Sequence, residues 1–162
     1  MEISADNLEY IIHLSSTLNH IPINGISGKL YIGGRCALNI HTTFNIHHLI
    51  TLFDFDKKIP NTNHDIYDIH DTQIQEDVKN FEKHLGSISQ SIHKSLSEGK
   101  NVCVHCKAGI SRSATVIADY LLTFQETDSQ TLRYIKSFRP IINPNPSFVE
   151  LLERRHNIKL DW

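Results

Sequence analysis

From residue 105 the chain reads His-Cys-Lys-Ala-Gly-Ile-Ser-Arg-Ser, which sets Arg112 six residues beyond Cys106 with mostly small or polar residues between them. A β-prone run, Asn101 to His105, precedes this stretch, and a mostly apolar one of helical length, Ser113 to Phe124, follows it. In that frame the backbone N–H groups of Lys107, Ala108, Gly109, Ile110, Ser111 and Arg112 can turn inward together, Gly109 permitting the angle this needs. The following helix aims its positive end at the same point, and the Arg112 guanidinium can add a two-pronged hydrogen bond. Such a nest suits phosphate oxygens. Cys106, at its base, is drawn towards its anion by the amides, the dipole and the arginine. A thiolate facing phosphorus is a nucleophile for displacement. A lone cysteine more often just packs at a strand end; the joint pattern is what points to chemistry.

Displacement at phosphorus also needs a proton donor for the leaving oxygen, and the loop contains none. The segment from Asp65 to Gln73 offers Asp65, Asp68, Asp71 and His70 ahead of a long helical pattern. Cys103-Val104-His105-Cys106 is formally a C-x-x-C pair, but Cys103 lies in a predicted strand, which disfavours thioredoxin-like chemistry. Cys103 remains a candidate to capture an oxidised Cys106 as a regulatory disulfide.

The elements that must position these residues follow from periodicity. Lys29 to Gly34 and His48 to Phe53 read as strands, and Asp65 to Ile69 as a third. Val78, Phe81, Leu85, Ile88, Ile92 and Leu96 recur at helical spacing, with Gly99 closing the helix. Thr127-Asp128-Ser129 can cap a helix carrying Leu132, Ile135 and Phe138, halted by Pro140. Asn145-Pro146 has the form of an N-cap and first-turn proline for a last helix using Val149 and Leu152. Strands alternating with long helices predict an α/β fold, a central mostly parallel sheet flanked by helices.

Composition narrows the function classes. With 162 residues, 40% of them hydrophobic, the chain is long enough for one well-buried core. A formal charge of −2 and no dense basic run give little support for binding nucleic acid or a membrane surface. Met1-Glu2-Ile3-Ser4 does not open a signal peptide, and the three cysteines read as reduced thiols. The expectation is a soluble protein of the cytoplasm, with the nucleus also open to it. The eleven histidines include no HExxH and no zinc-spaced cluster, so neither metal nor cofactor is expected.

At this point the residues resemble a known family. His105 to Ser113 matches the HCxxGxxR(S/T) signature of cysteine-dependent protein phosphatases, and Ser111-Arg112-Ser113-Ala114 is similar to the form in dual-specificity phosphatases. Leu30-Tyr31-Ile32-Gly33 resembles the family's first-strand LYxG, and Arg139-Pro140 with Pro144-Asn145 and Phe148 its RPxxxPNxxF segment. Asp119-Tyr120 departs from the usual Ala-Tyr, and Pro146-Ser147 from a pair that is often glycine-containing. The resemblance implies a catalytic domain over 28–156, an N-terminal extension over 1–27 packed on it, and a tail over 157–162. It selects Asp71 as the acid, with Asp68 second and His70 third. It implies that Ser113 stabilises the departing thiolate and that Asn145 braces the loop, while His105 orients Cys106. The implied partners are phosphoproteins. Trp162 is the only tryptophan, so the WPD acid loop of classical tyrosine phosphatases is absent and a shallower pocket is expected, open to phosphoserine and phosphothreonine as well as phosphotyrosine. Phosphoinositide, RNA 5′-phosphate and a silent phosphopeptide-binding module are the alternatives.

Overall fold

The computed structural model describes Leu8, Glu9, His13 and residues 16–162. The signal-peptide reading of Met1 to Ser4 lies outside them, as does much of the 1–27 extension. Five strands, β1 (Leu18–Ile21), β2 (Leu30–Gly33), β3 (His48–Thr51), β4 (Asn63–Ile66) and β5 (Val102–His105), form one sheet in the order β1-β2-β5-β3-β4. Among the described residues only β1 pairs antiparallel. The helices from residue 16 onward are α1 (Ala37–Ile40), α2 (Gln75–Ser97), α3 (Arg112–Phe124), α4 (Thr131–Phe138) and α5 (Pro146–His156).

β5 sits centrally between β2 and β3, and every residue of it is buried, as its Val-Cys-Val-His run requires. Its alternation sends Val102 and Val104 into the large cluster built with α2, α3, α4 and α5. Cys103 points to the other face, among Leu18, Ala37, Ile46 and Leu49. The long helices pack on one face of the sheet, and among the described residues the cluster on the second face draws on α1 and the connecting loops. α3 is buried from Arg112 to Leu121, which explains its lack of a polar stripe.

The helix expectations hold closely. α2 ends where Gly99, at φ +78°, turns the chain and donates its N–H to Leu96 O. Asp128 caps α4 from outside, its Oδ1 accepting from Gln130 N and its carbonyl from Thr131 N. Asn145 caps α5, its side chain accepting from Phe148 N, with Pro146 in the first turn. Three expectations change. The third strand runs over Asn63–Ile66 rather than 65–69, because Asn63 donates to His47 O and the chain turns after Tyr67, where Ile69 N donates to Tyr67 O. Residues 18–21 of the expected extension are a strand of the sheet itself, paired with β2. α1 was not expected at all. The segment after α5 folds back: Leu160 is buried, and Asp161 N donates to Ser129 O.

Candidate active site

The loop from β5 to α3 is shaped by where its carbonyls go. Lys107 O accepts from Arg35 N, Ile110 O from Asn143 N, and Ser111 O from Thr115 N and Oγ1. Ala108 O and Gly109 O accept from Arg139, through Nη2 at 3.0 Å and Nε at 2.8 Å. With each carbonyl from Lys107 to Ser111 tied outward, the N–H groups are left to converge. Gly109 is doubly required. Its φ is +68°, and an added Cβ would lie 2.5 Å from Arg139 Nη2 and 2.6 Å from Gly33 O.

Cys106 lies at the base of this cradle, 2% exposed, its N–H directed to Gly33 O. Ser113 Oγ is 3.3 Å from Cys106 Sγ. Arg112 Nη1 donates to Leu52 O at 3.2 Å and Ile69 O at 2.9 Å, which fixes the guanidinium plane. Its buried Nε has no hydrogen-bond partner. Arg112 and Lys107 face a cavity of about 430 Å³ whose other walls include Phe53, Asp54, Asp68, His70 and Asp71. The structure thus brings the cation and all three acid candidates to one cavity, while Cys106 is not among the residues that line it.

The acid candidates differ in their ties. Asp71 Oδ1 accepts from Ser111 Oγ at 2.8 Å and from Asn145 Nδ2 at 2.9 Å. Asn145 also donates from Nδ2 to Thr72 O and from its backbone N–H to Ser111 Oγ, so it joins the acid segment, the loop and the start of α5. The Ser111 hydroxyl is therefore committed to Asp71, and Ser111 reaches the cradle through its main chain. Asp68 is paired with His70, Nε2 to Oδ1 at 3.1 Å, and the other ring nitrogen of His70 is 3.7 Å from Asp77.

His105 is fully buried, and that burial holds its pKa down at about 4. Its Nε2 is 2.6 Å from Thr51 Oγ1, and Phe53 packs edge-on to its ring. The Cys103–Cys106 bridge does not survive the geometry. The two residues belong to different core clusters, and three residues of extended chain separate them by about 10 Å, against a limit of about 7 Å between Cα atoms. Burial also pushes the Cys103 thiol far up, away from its reactive form.

Arg139 was missed as a site residue. It is fully buried, and besides the two loop carbonyls it donates from Nη1 to Thr17 O at 3.1 Å and Asn19 Oδ1 at 2.6 Å, tying β1 to the cradle. Its sequence signals were its place just after an amphipathic helix and before a proline, and at the head of the RPxxxPNxxF segment. Asp119, unusual in sequence, is fully buried on α3 and accepts from Ser89 Oγ at 2.6 Å, Arg155 Nε at 2.8 Å and His156 Nε2 at 2.7 Å. It pins α2 and α5 to the helix that carries Arg112.

A buried cysteine, an arginine with one unpaired buried donor and a loop whose carbonyls are all engaged thus meet at the end of the central strand of a mostly parallel sheet, and comparison with known proteins gives their class, a phosphatase. The model of the dual specificity phosphatase catalytic domain matches residues 30–157, and the chain belongs to that family. Dual specificity protein phosphatase 15 of Rattus norvegicus is 45% identical over 74 residues, 45% of this chain and 31% of that protein, so the chain spans about a third of that relative. Dual specificity protein phosphatase 1 of Arabidopsis thaliana is 29% identical over 132 residues, 79% of this chain and 66% of that protein. The crystal structure of DUSP15 superposes with a TM-score of 0.73 at 29% identity, covering 85% of this chain and 86% of that one. Human DUSP28, 19% identical, shares the fold with a TM-score of 0.74 over 86% of this chain and 93% of that one.

Proposed function

We propose that this phosphatase hydrolyses phosphotyrosine and phosphoserine or phosphothreonine monoesters of proteins through a cysteinyl-phosphate. The observation that carries the reading is the buried, unpartnered Nε of Arg112 beside a loop whose carbonyls all face away. A buried donor left unmade costs about 1–3 kcal/mol, and a phosphate oxygen in the cradle relieves that cost. The Cys106 thiolate forms the S–P bond as the P–O bond to the leaving group breaks. Asp71 supplies the proton to that oxygen. Both protein donors to Asp71 meet Oδ1, so Oδ2 is the oxygen that carries the proton. In the second step Asp71 takes a proton from water, whose oxygen bonds to phosphorus as the S–P pair returns to Cys106. Ser113 Oγ, 3.3 Å away, donates to the sulfur as its charge returns.

Asp54, Asp68 and Asp71 on the cavity wall, with Lys107 and Arg112 as its cations, favour a single phosphate over a polyphosphorylated lipid headgroup. The test is hydrolysis by wild type and Cys106→Ser, with EDTA present, on matched phosphotyrosine and phosphothreonine peptides and a phosphoinositide. Turnover of both peptides, lost in the variant, is the expected result. Preference for the lipid would displace the protein substrate, and binding without turnover of any substrate would make the chain a silent phosphopeptide module.

A further inference from the structure

The catalytic cavity has a neighbour across Phe53. That ring walls the catalytic cavity and meets Phe55 edge to face, with 6.3 Å between centroids. Phe55 in turn walls a second cavity, of about 440 Å³, together with Arg35, Cys36, Leu38, Asn39 and Ile59. Arg35 Cζ lies 5.6 Å from the centroid of the Phe53 ring, so its guanidinium stands at the join of the two cavities. Its main chain is held to the cradle as well: Arg35 N donates to Lys107 O at 2.8 Å, and Lys107 lines the catalytic side. The second cavity is thus placed for a group attached to whatever fills the first.

The lining sets the chemistry of that group. Arg35 is exposed and, among the described residues, makes no hydrogen bond or ion pair through its guanidinium. Leu38, Phe55 and Ile59, each half-buried, supply apolar walls, and no carboxylate of the described residues lines this cavity. Asp54 and Asp56 share a loop with Phe55, yet Asp54 faces the catalytic cavity and Asp56 lines neither. A planar cation with open donors beside apolar walls fits a carboxylate on an aliphatic stem. Its oxygens can take parallel N–H bonds, and its methylenes cover the walls. The catalytic cavity repels such a group, because Asp54, Asp68 and Asp71 stand on its wall. A third cavity, of about 410 Å³ and reached at Gln73, sets Lys79 and Arg154 against Glu82 and Glu150, and so does not discriminate by sign.

We propose that Arg35, with Phe55, Leu38 and Ile59, forms a subsite for a glutamate side chain flanking the phosphorylated residue of a protein substrate. The subsite rests on the phosphoprotein reading, because it needs a chain that continues past the phosphate. Arg35 is then a specificity-determining residue: it acts on which substrate is held and not on the displacement at phosphorus. The attraction is that of an accessible ion pair, worth up to about fivefold in binding, and it weakens as salt rises.

The measurement is kcat/KM on phosphotyrosine peptides in which one glutamate is walked along either side of the phosphoresidue in a neutral background, each peptide paired with its glutamine isostere. At one position wild type is expected to prefer Glu over Gln by about three- to fivefold, with the gain in KM rather than kcat. Arg35→Gln keeps the main-chain bond to Lys107 and should bring that ratio to about one. Arg35→Glu should invert the preference, with lysine at the same position favoured over glutamine. Each ratio is taken within one protein, so any effect of the substitution on the loop cancels. No glutamate preference at any position in wild type, or one that survives in both variants, overturns the subsite. The same peptides are titrated against Cys106→Ser with and without Arg35→Gln, and the ratios of Kd should follow the same pattern. An Arg35-dependent glutamate preference in binding, in a wild type that hydrolyses neither the peptides nor p-nitrophenyl phosphate, would count against the phosphatase reading and leave the subsite standing. Turnover without the preference would do the reverse, and peptides that neither bind nor react would overturn both.

Discussion

Arg139→Met removes the side chain that ties the cradle to the rest of the fold. Methionine fills a similar volume, so the change is chiefly the loss of the bonds to Ala108 O, Gly109 O, Thr17 O and Asn19 Oδ1. Each buried carbonyl left without a donor costs about 1–3 kcal/mol, or about 2–6 kcal/mol for the two in the loop. Relief from desolvating a buried cation offsets part of that, so folding stability is expected to fall by only about 2 kcal/mol. The activity loss is larger, because the two carbonyls are free to turn inward and their amides outward. A misplacement of about 1 Å at a reacting site can cost about 100-fold, and kcat/KM on a phosphotyrosine peptide should fall by at least about that factor. Arg139→Lys should not rescue it, since one ammonium cannot span acceptors spread around a planar fork. A Met variant within about threefold of wild type, or a Lys variant with full activity, would refute the account.

Asp71→Asn should lower kcat by about 10²- to 10⁴-fold with alkyl phosphates and far less with a good leaving group such as p-nitrophenol; an equal pattern in Asp68→Asn and none in Asp71→Asn would transfer the acid role. Asp119→Asn should unfold at lower urea by about 3 kcal/mol at neutral pH, because it breaks a buried charge network. Burial alone pushes the Asp119 carboxyl up, but hydrogen bonds from His156, Ser89 and Arg155, with the Arg155 charge, hold it below the ordinary value. Its contribution is therefore complete above the unfolded carboxyl pKa of about 3.9 and lost as pH falls through the lower folded value. The gap between variant and wild-type urea midpoints should narrow on acidification, and a gap independent of pH would rule the network out.

What could be read in advance follows from range. The cradle was legible because Cys106, Gly109 and Arg112 lie within one loop and the nest is a local backbone property. α2, α3, α4 and α5 were legible from spacing and from Gly99, Pro140 and Pro146. β1 was not, since four residues with a polar Asn-His pair carry little alternation, and the strand forms only because β2 offers its edge. β4 was misplaced because His64 reads as polar, yet it is buried by its bond to Thr51. Choosing Asp71 as the proposed acid took the family resemblance, as the segment offers Asp65 and Asp68 equally. Arg139 was visible as part of the RPxxxPNxxF segment, but its bonds were not, because their acceptors lie on a loop and a strand that only the topology brings together.

The outward-tied carbonyls have an entropic corollary. A loose loop closing on an anion would lose about 1–2 kcal/mol of backbone freedom per residue at the moment of binding. Here that ordering is completed when the domain folds, so the phosphate binding proposed for the loop would not be eroded by it. The same rigidity makes the amides select by shape. A tetrahedral oxyanion meets several N–H groups at once, whereas a planar carboxylate cannot gather them by drawing the loop around itself.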